Sequence, residues 1–123
     1  MACSDKTPEH SFCRKCADNA LSLFFNAIDI LKEIKNKDLE IAMTYLNIAT
    51  LYDAKDGIEA TSLIEENLDK AKDIFENSNI TRDSYYAFVV SKAKTVYEYF
   101  GYFIYAKELD ERERKIYERA RAI

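Results

Sequence analysis

Glycine occurs twice and proline once in 123 residues, tryptophan is absent, and histidine appears once. A sheet protein of this length needs turn residues at nearly every strand connection. So few of them favour helices joined by short connections. Two glycines cannot build a phosphate-cradling loop. With His10 alone, neither a Ser-His-Asp nor a Cys-His set can be assembled, nor a di-iron pair of Glu-x-x-His motifs. No apolar run approaches the roughly 20 residues that span a bilayer. Positive charge is not in excess: 18 basic against 22 acidic residues leave a net charge of −4, which argues against a general nucleic-acid surface. These absences predict a non-enzyme with no cofactor, no nucleic-acid partner and no membrane span.

Cysteine is sparse and oddly placed. Cys3, Cys13 and Cys16 all fall in the first sixteen residues, which is no disulfide framework. The opening MACSDKTPEHSF is polar and lacks the basic-then-apolar order of a secretory leader. The expectation is a reducing, cytoplasmic compartment. Cys3, His10, Cys13 and Cys16 together spell C-x6-H-x2-C-x2-C, four residue types that suit tetrahedral zinc. Cys13 and Cys16 also continue an apolar helical stripe, so core cysteines are the preferred reading and no metal is expected. A zinc site and a redox-responsive pair are the alternatives.

What the chain does contain is apolar periodicity. Hydrophobic residues make up 48% and charged residues 33%, the balance of one globular domain over residues 1–123. Residues 1–7 are expected to be a flexible N-terminus. Thr7-Pro8-Glu9 then starts a first helix, whose apolar residues run from Phe12 through Leu21, Phe24, Ile28 and Leu31 to Ile34. Asp38 is the expected cap of a second helix carrying Ile41, Tyr45, Leu46, Ile48, Ala49 and Tyr52, which should stop near Gly57. A third carries Leu63, Ile64, Leu68, Ala71 and Phe75, ending at Asn77-Ser78-Asn79. Asn79 or Thr81 should cap a fourth, with Tyr86, Val89, Val90, Ala93 and Tyr97. Gly101 turns the chain into a fifth, with Phe103, Ile104, Ala106, Leu109, Ile116, Ala120 and Ile123. Residues 107–123 read as a charged capping helix.

The stretch VYEYFGYFIYA, Val96 to Ala106, is therefore a corner between two antiparallel helices. Its aromatics can pack edge to face across the turn. Tyr99, Tyr102 and Tyr105 are the ones expected to reach water.

The chain is also self-similar. NAIDILKEI (Asn26–Ile34), KAKDIFEN (Lys70–Asn77) and RERKIYER (Arg112–Arg119) align, as do TYLNIATLYDAKDG (Thr44–Gly57) and FVVSKAKTVYEYFG (Phe88–Gly101). Two helices recur with a period a little over forty residues. Tyr45, Ile48, Ala49 and Tyr52, followed by Ile64, Leu68 and Ala71, resemble a helix A and helix B of the tetratricopeptide repeat family, in its longer-period form. Ala20, Phe24 and Ala27 resemble a helix B, and Tyr97, Gly101 and Ala106 a looser last pair. The family's Trp and closing Pro are missing, Ala49 stands for a glycine, and Glu113 for an alanine.

The resemblance implies an all-α, right-handed stack of antiparallel helix pairs, about five helices in all. It also implies a non-enzymatic scaffold or adaptor that grips a partner's peptide segment in a concave groove. The groove positions would be Met43, Leu46, Asn47, Thr50 and Asp53 on the second helix, and Phe88, Ser91, Lys92, Thr95 and Tyr99 on the fourth. Asn47 leads this set, because its amide both donates to and accepts from a peptide backbone. The alternatives are a homo-oligomeric module, since the first helix lacks a partner of its own, and a metal- or thiol-sensing domain built on the cysteines.

Overall fold

The structure, a computed structural model, describes residues 14–77 and 79–121. These form five α-helices: α1 (Arg14–Lys32), α2 (Asp38–Asp56), α3 (Thr61–Phe75), α4 (Ser84–Tyr99) and α5 (Phe103–Arg121). A single 3-10 turn, Gly57–Ala60, joins α2 to α3. There is no strand among the described residues. The expected start at Thr7, the flexible 1–7 segment, Phe12 and Ile123 lie outside the described residues.

Two helix starts differ from expectation. Asp38 is the first helical residue of α2 rather than its cap, and no side chain caps that end. Asp38 and Glu40 still place negative charge in the first turn, where it complements the helix dipole. At α4 the cap is Asp83, not Asn79 or Thr81. Its carboxylate accepts from the Tyr86 N–H at 3.0 Å. Asn77 forms a local turn instead, accepting from the Asn79 N–H at 2.9 Å.

The core lies where α2, α3, α4 and α5 meet, and α1 covers one side of α2. Leu46, Ile48, Leu68, Phe75, Val90 and Leu109 are fully buried. Each such side chain contributes roughly 1.5–3 kcal/mol by leaving water. Tyrosines fill the space between α3 and α4. Tyr86 donates to the Phe75 carbonyl at 3.2 Å and Tyr97 to the Leu68 carbonyl at 2.7 Å. Phe75 is the last residue of α3, so its carbonyl has no partner within the helix until Tyr86 supplies one. These two bonds pair the start of α4 with the end of α3 and the end of α4 with its middle, so the helices run antiparallel.

An ionic knot fastens α5 to the same place. Arg112 occupies the inward stripe of α5 between Leu109 and Ile116, and its guanidinium reaches Glu76 through two bonds, at 2.5 and 2.8 Å. Tyr105 donates to Glu76 at 2.7 Å, and Arg112 also donates to the Tyr86 hydroxyl at 3.0 Å. Partial burial pushes the Glu76 carboxyl up, but the Arg112 and Tyr105 bonds outweigh it and hold the pKa below the usual carboxylate range.

The aromatic corner closes on Gly101. The Tyr102 N–H bonds the Tyr97 carbonyl at 2.8 Å, and the Gly101 N–H bonds the Glu98 carbonyl at 3.1 Å. This six-to-one and five-to-two pair needs a left-handed residue, and Gly101 has φ 89°. The same closure brings the Tyr97 and Tyr102 rings to 5.6 Å. Across the turn, Tyr97 meets Tyr105 edge to face at 4.9 Å and 88°.

Several side chains do not point as expected. Tyr105 is buried, not wet, while Phe103 and Ile104 are exposed rather than in the core. The inward stripe of α5 is Tyr105, Ala106, Leu109 and Ile116, and Phe103 and Ile104 sit before it, outside its phase. Leu63, Ile34 and Ala120 also face water. Tyr99 is exposed, as expected, and Tyr102 half-buried.

Candidate functional site

The face shared by α2 and α4 holds the residues that the sequence places in a groove. Tyrosine bonds fix its two ends. Tyr85, early in α4, donates to Glu40, early in α2, at 2.6 Å. Tyr99, last in α4, donates to Asp53, late in α2, at 2.9 Å. The two helices therefore run parallel with a nearly constant register. That register sets Met43 level with Phe88, Asn47 with Lys92, and Thr50 with Thr95.

Asn47, Thr50, Lys92 and Thr95 are exposed, and Met43, Asp53 and Ser91 are half-buried. Phe88 is 52% exposed and Tyr99 71% exposed. The Lys92 ammonium lies 4.9 Å over the Phe88 ring, which stacks beside Tyr85 at 6.5 Å. Lys92 has no carboxylate partner among the described residues. Thr50 donates to the Leu46 carbonyl at 3.0 Å, leaving its oxygen to accept from elsewhere.

Leu46 does not belong to this face. It is fully buried. At about 100° per residue Leu46 falls beside Thr50 at the margin of the Met43–Asn47–Thr50 stripe, and its burial shows that this margin already turns into the core. Sequence reading also missed Glu40 and Tyr85, which tie the two helices at the N-terminal end of this face. Their signal was available, since each lies three residues before a chosen position, Met43 and Phe88.

The electrostatics follow from the two tie points. The hydrogen bond to Glu40 raises the Tyr85 phenol above the ordinary tyrosine range, and the bond to Asp53 does the same for Tyr99. Both hydroxyls thus stay protonated donors at neutral pH. Between them the surface offers an amide, a cation, two threonine hydroxyls and an aromatic face. That set can hold a peptide backbone and an apolar side chain; it holds no nucleophile paired with a base.

The cysteine-histidine set falls mostly elsewhere. Cys3, His10 and Cys13 lie outside the described residues. Cys16, on α1, is a half-buried free thiol. No group of three metal-ligating side chains occurs among the described residues, and no helix there is long and apolar enough to cross a membrane.

No protein-family model matches the chain, and neither a curated protein nor a solved structure does.

Proposed function

We propose that the chain is a non-catalytic interaction scaffold of tetratricopeptide-repeat type, a right-handed stack of helix pairs acting in a reducing, cytoplasmic compartment. Its groove between α2 and α4 binds a peptide segment of a partner protein. Asn47 meets the partner backbone, Lys92 and Phe88 engage its side chains, and Thr50 and Thr95 line the path. The observation that carries this reading is the parallel pairing of α2 and α4 through Tyr85–Glu40 and Tyr99–Asp53, with Asn47 and Lys92 exposed between the ties. The experiment is an affinity capture from cells with wild-type protein and an Asn47→Ala/Lys92→Ala variant, read by mass spectrometry. A partner held by the wild type and lost by a variant with unchanged circular dichroism supports the groove. Equal capture by both removes it.

A second reading rests on α1. Leu23 and Ile30 are exposed on its outer face, in line with Ala20 and Ala27 and apart from the buried stripe of Ala17, Leu21 and Ile28. Pairing of this face with a second copy would make the chain a homo-oligomeric module. Sedimentation decides it: a dimer that Leu23→Glu dissociates supports the reading, and a monomer at every concentration ends it.

A further inference from the structure

The two hairpin corners form a second surface, separate from the groove. Because α2 and α4 run parallel, the turns that follow them lie at the same end of the molecule. A hollow lined by Ile58, Thr61 and Ile64 from the first corner and by Phe100 and Tyr102 from the second spans both. A larger hollow of ≈490 Å³ adjoins it, lined among others by Lys72, Tyr102, Phe103, Ile104 and Glu108. Tyr102 is the ridge between them.

This end is apolar to an unusual degree. Ile58 is 92% exposed, Ile104 81% and Phe103 66%. Together they leave on the order of 400 Å² of side chain in water, within the size range at which a monomer's largest patch is often functional. Neither corner needs these residues for its fold. Gly57 and Gly101 set the turns through their positive φ, and the buried contacts belong to Tyr97, Tyr102 and Tyr105.

The rim chooses the occupant. Glu65 lines the first hollow and Glu59 follows Ile58; Glu108 lines the second, and Glu98 lies beside Phe103. Of the nearby cations, Lys72 lines the larger hollow but is held over the Tyr105 ring at 4.6 Å, and Lys55 is paired with Asp18 and Asp56. Lys94 is paired with Asp110 and Glu113, and Lys107 lies beside Phe103, so the rim keeps an excess of acidic groups. A second copy would bring this acidic rim against itself, and an anionic membrane surface would repel it. A segment with apolar side chains flanked by lysine or arginine meets both features.

We infer that the hairpin-corner end of this protein is a docking site for a basic amphipathic peptide segment, with Ile58 and Ile104 as its apolar contacts and Glu59, Glu65 and Glu108 as its charge contacts. The site stands independently of the groove. The test uses a fluorescently labelled helical peptide of leucine and lysine only, a second peptide with glutamate in place of lysine, and anisotropy as readout. Ile58 and Ile104 are exposed, so the Ile58→Ser/Ile104→Ser variant should keep the fold, which its thermal melt checks. The expected result is binding of the leucine–lysine peptide, weakened at least tenfold by that variant. Binding should also weaken several-fold as salt rises and stay unchanged in Asn47→Ala/Lys92→Ala. Four results overturn the inference: no binding, equal binding of the leucine–glutamate peptide, affinity indifferent to Ile58→Ser/Ile104→Ser, or a wild-type dimer that this variant dissociates. The last would make the surface a self-interface.

Discussion

Helix α4 carries two tyrosine pairs on different faces, one toward α3 and one toward α2. Tyr86 and Tyr97 point inward, are fully buried, and donate to backbone carbonyls of α3. Tyr85 and Tyr99 point outward and donate to carboxylates of α2 across a face open to water. In both pairs the phenols bridge to a neighbouring helix near each end of α4. What differs is the cost of losing the bond. Inside, a missing donor strands a buried acceptor. Outside, water replaces it. The inner pair therefore holds hairpin to hairpin, and the outer pair sets the register of α4 against α2 without adding much to stability.

The largest expected effect comes from breaking the inner pair. Tyr97→Ala empties the space among Leu68, Tyr102 and Tyr105 and should cost about 3–5 kcal/mol in denaturant unfolding. A loss no larger than that of Tyr99→Ala would abolish the contrast. Tyr86→Phe keeps the ring but strands the Phe75 carbonyl, and should cost about 1–3 kcal/mol. Gly101→Ala tests the corner. Space is available for a methyl group there, so the expected loss of about 1–2 kcal/mol comes from the left-handed backbone alone.

High pH sharpens the contrast further. Burial pushes the Tyr97 and Tyr105 phenols well above the ordinary tyrosine range, with Glu76 adding to the effect at Tyr105. Their folded pKa values are raised, so this stability is fully present below the unfolded value, near pH 10, and is lost as pH rises beyond it. The decline should be roughly 1.4 kcal/mol per pH unit for each tyrosine kept neutral. The tyrosinate absorbance of these two phenols should then appear with loss of helix rather than ahead of it. A smooth titration of every phenol in a still-folded chain would contradict this. The smallest effect on stability is expected from Tyr99→Phe, whose bond to Asp53 is exposed, and which should leave the unfolding midpoint unchanged while weakening partner binding in the proposed groove.

Much of this fold could be read from residue order. Gly57 and Gly101 end equivalent helices 44 positions apart, each with a positive φ, and the aligned segments around them became α2 and α4. Periodicity within a helix also found the core of α2 and α3. It failed where helical phase resets. Phe103 and Ile104 continue the aromatic run of α4, but α5 begins its own phase at Tyr105, so they turn outward. Leu46 failed for a finer reason: it shares helical spacing with Met43 and Thr50 but sits at the margin of their stripe, where the core begins. The cap at Asp83 was missed in favour of Asn79 and Thr81, because local residue type does not choose among nearby capping side chains; the position at which Tyr86 packs against α3 does. The tyrosine ties were not legible at all. Which carboxylate or carbonyl a phenol reaches depends on neighbours 11 to 46 residues away.

The groove between α2 and α4 is tested most directly by backbone amide resonance mapping of the isotope-labelled protein during titration with a segment of its captured partner. Perturbations should concentrate at Asn47, Thr50, Phe88, Lys92 and Thr95 while the amides of α3 stay unmoved. Shifts confined to α1 or to the two hairpin corners, with the α2–α4 face silent, would contradict the assignment.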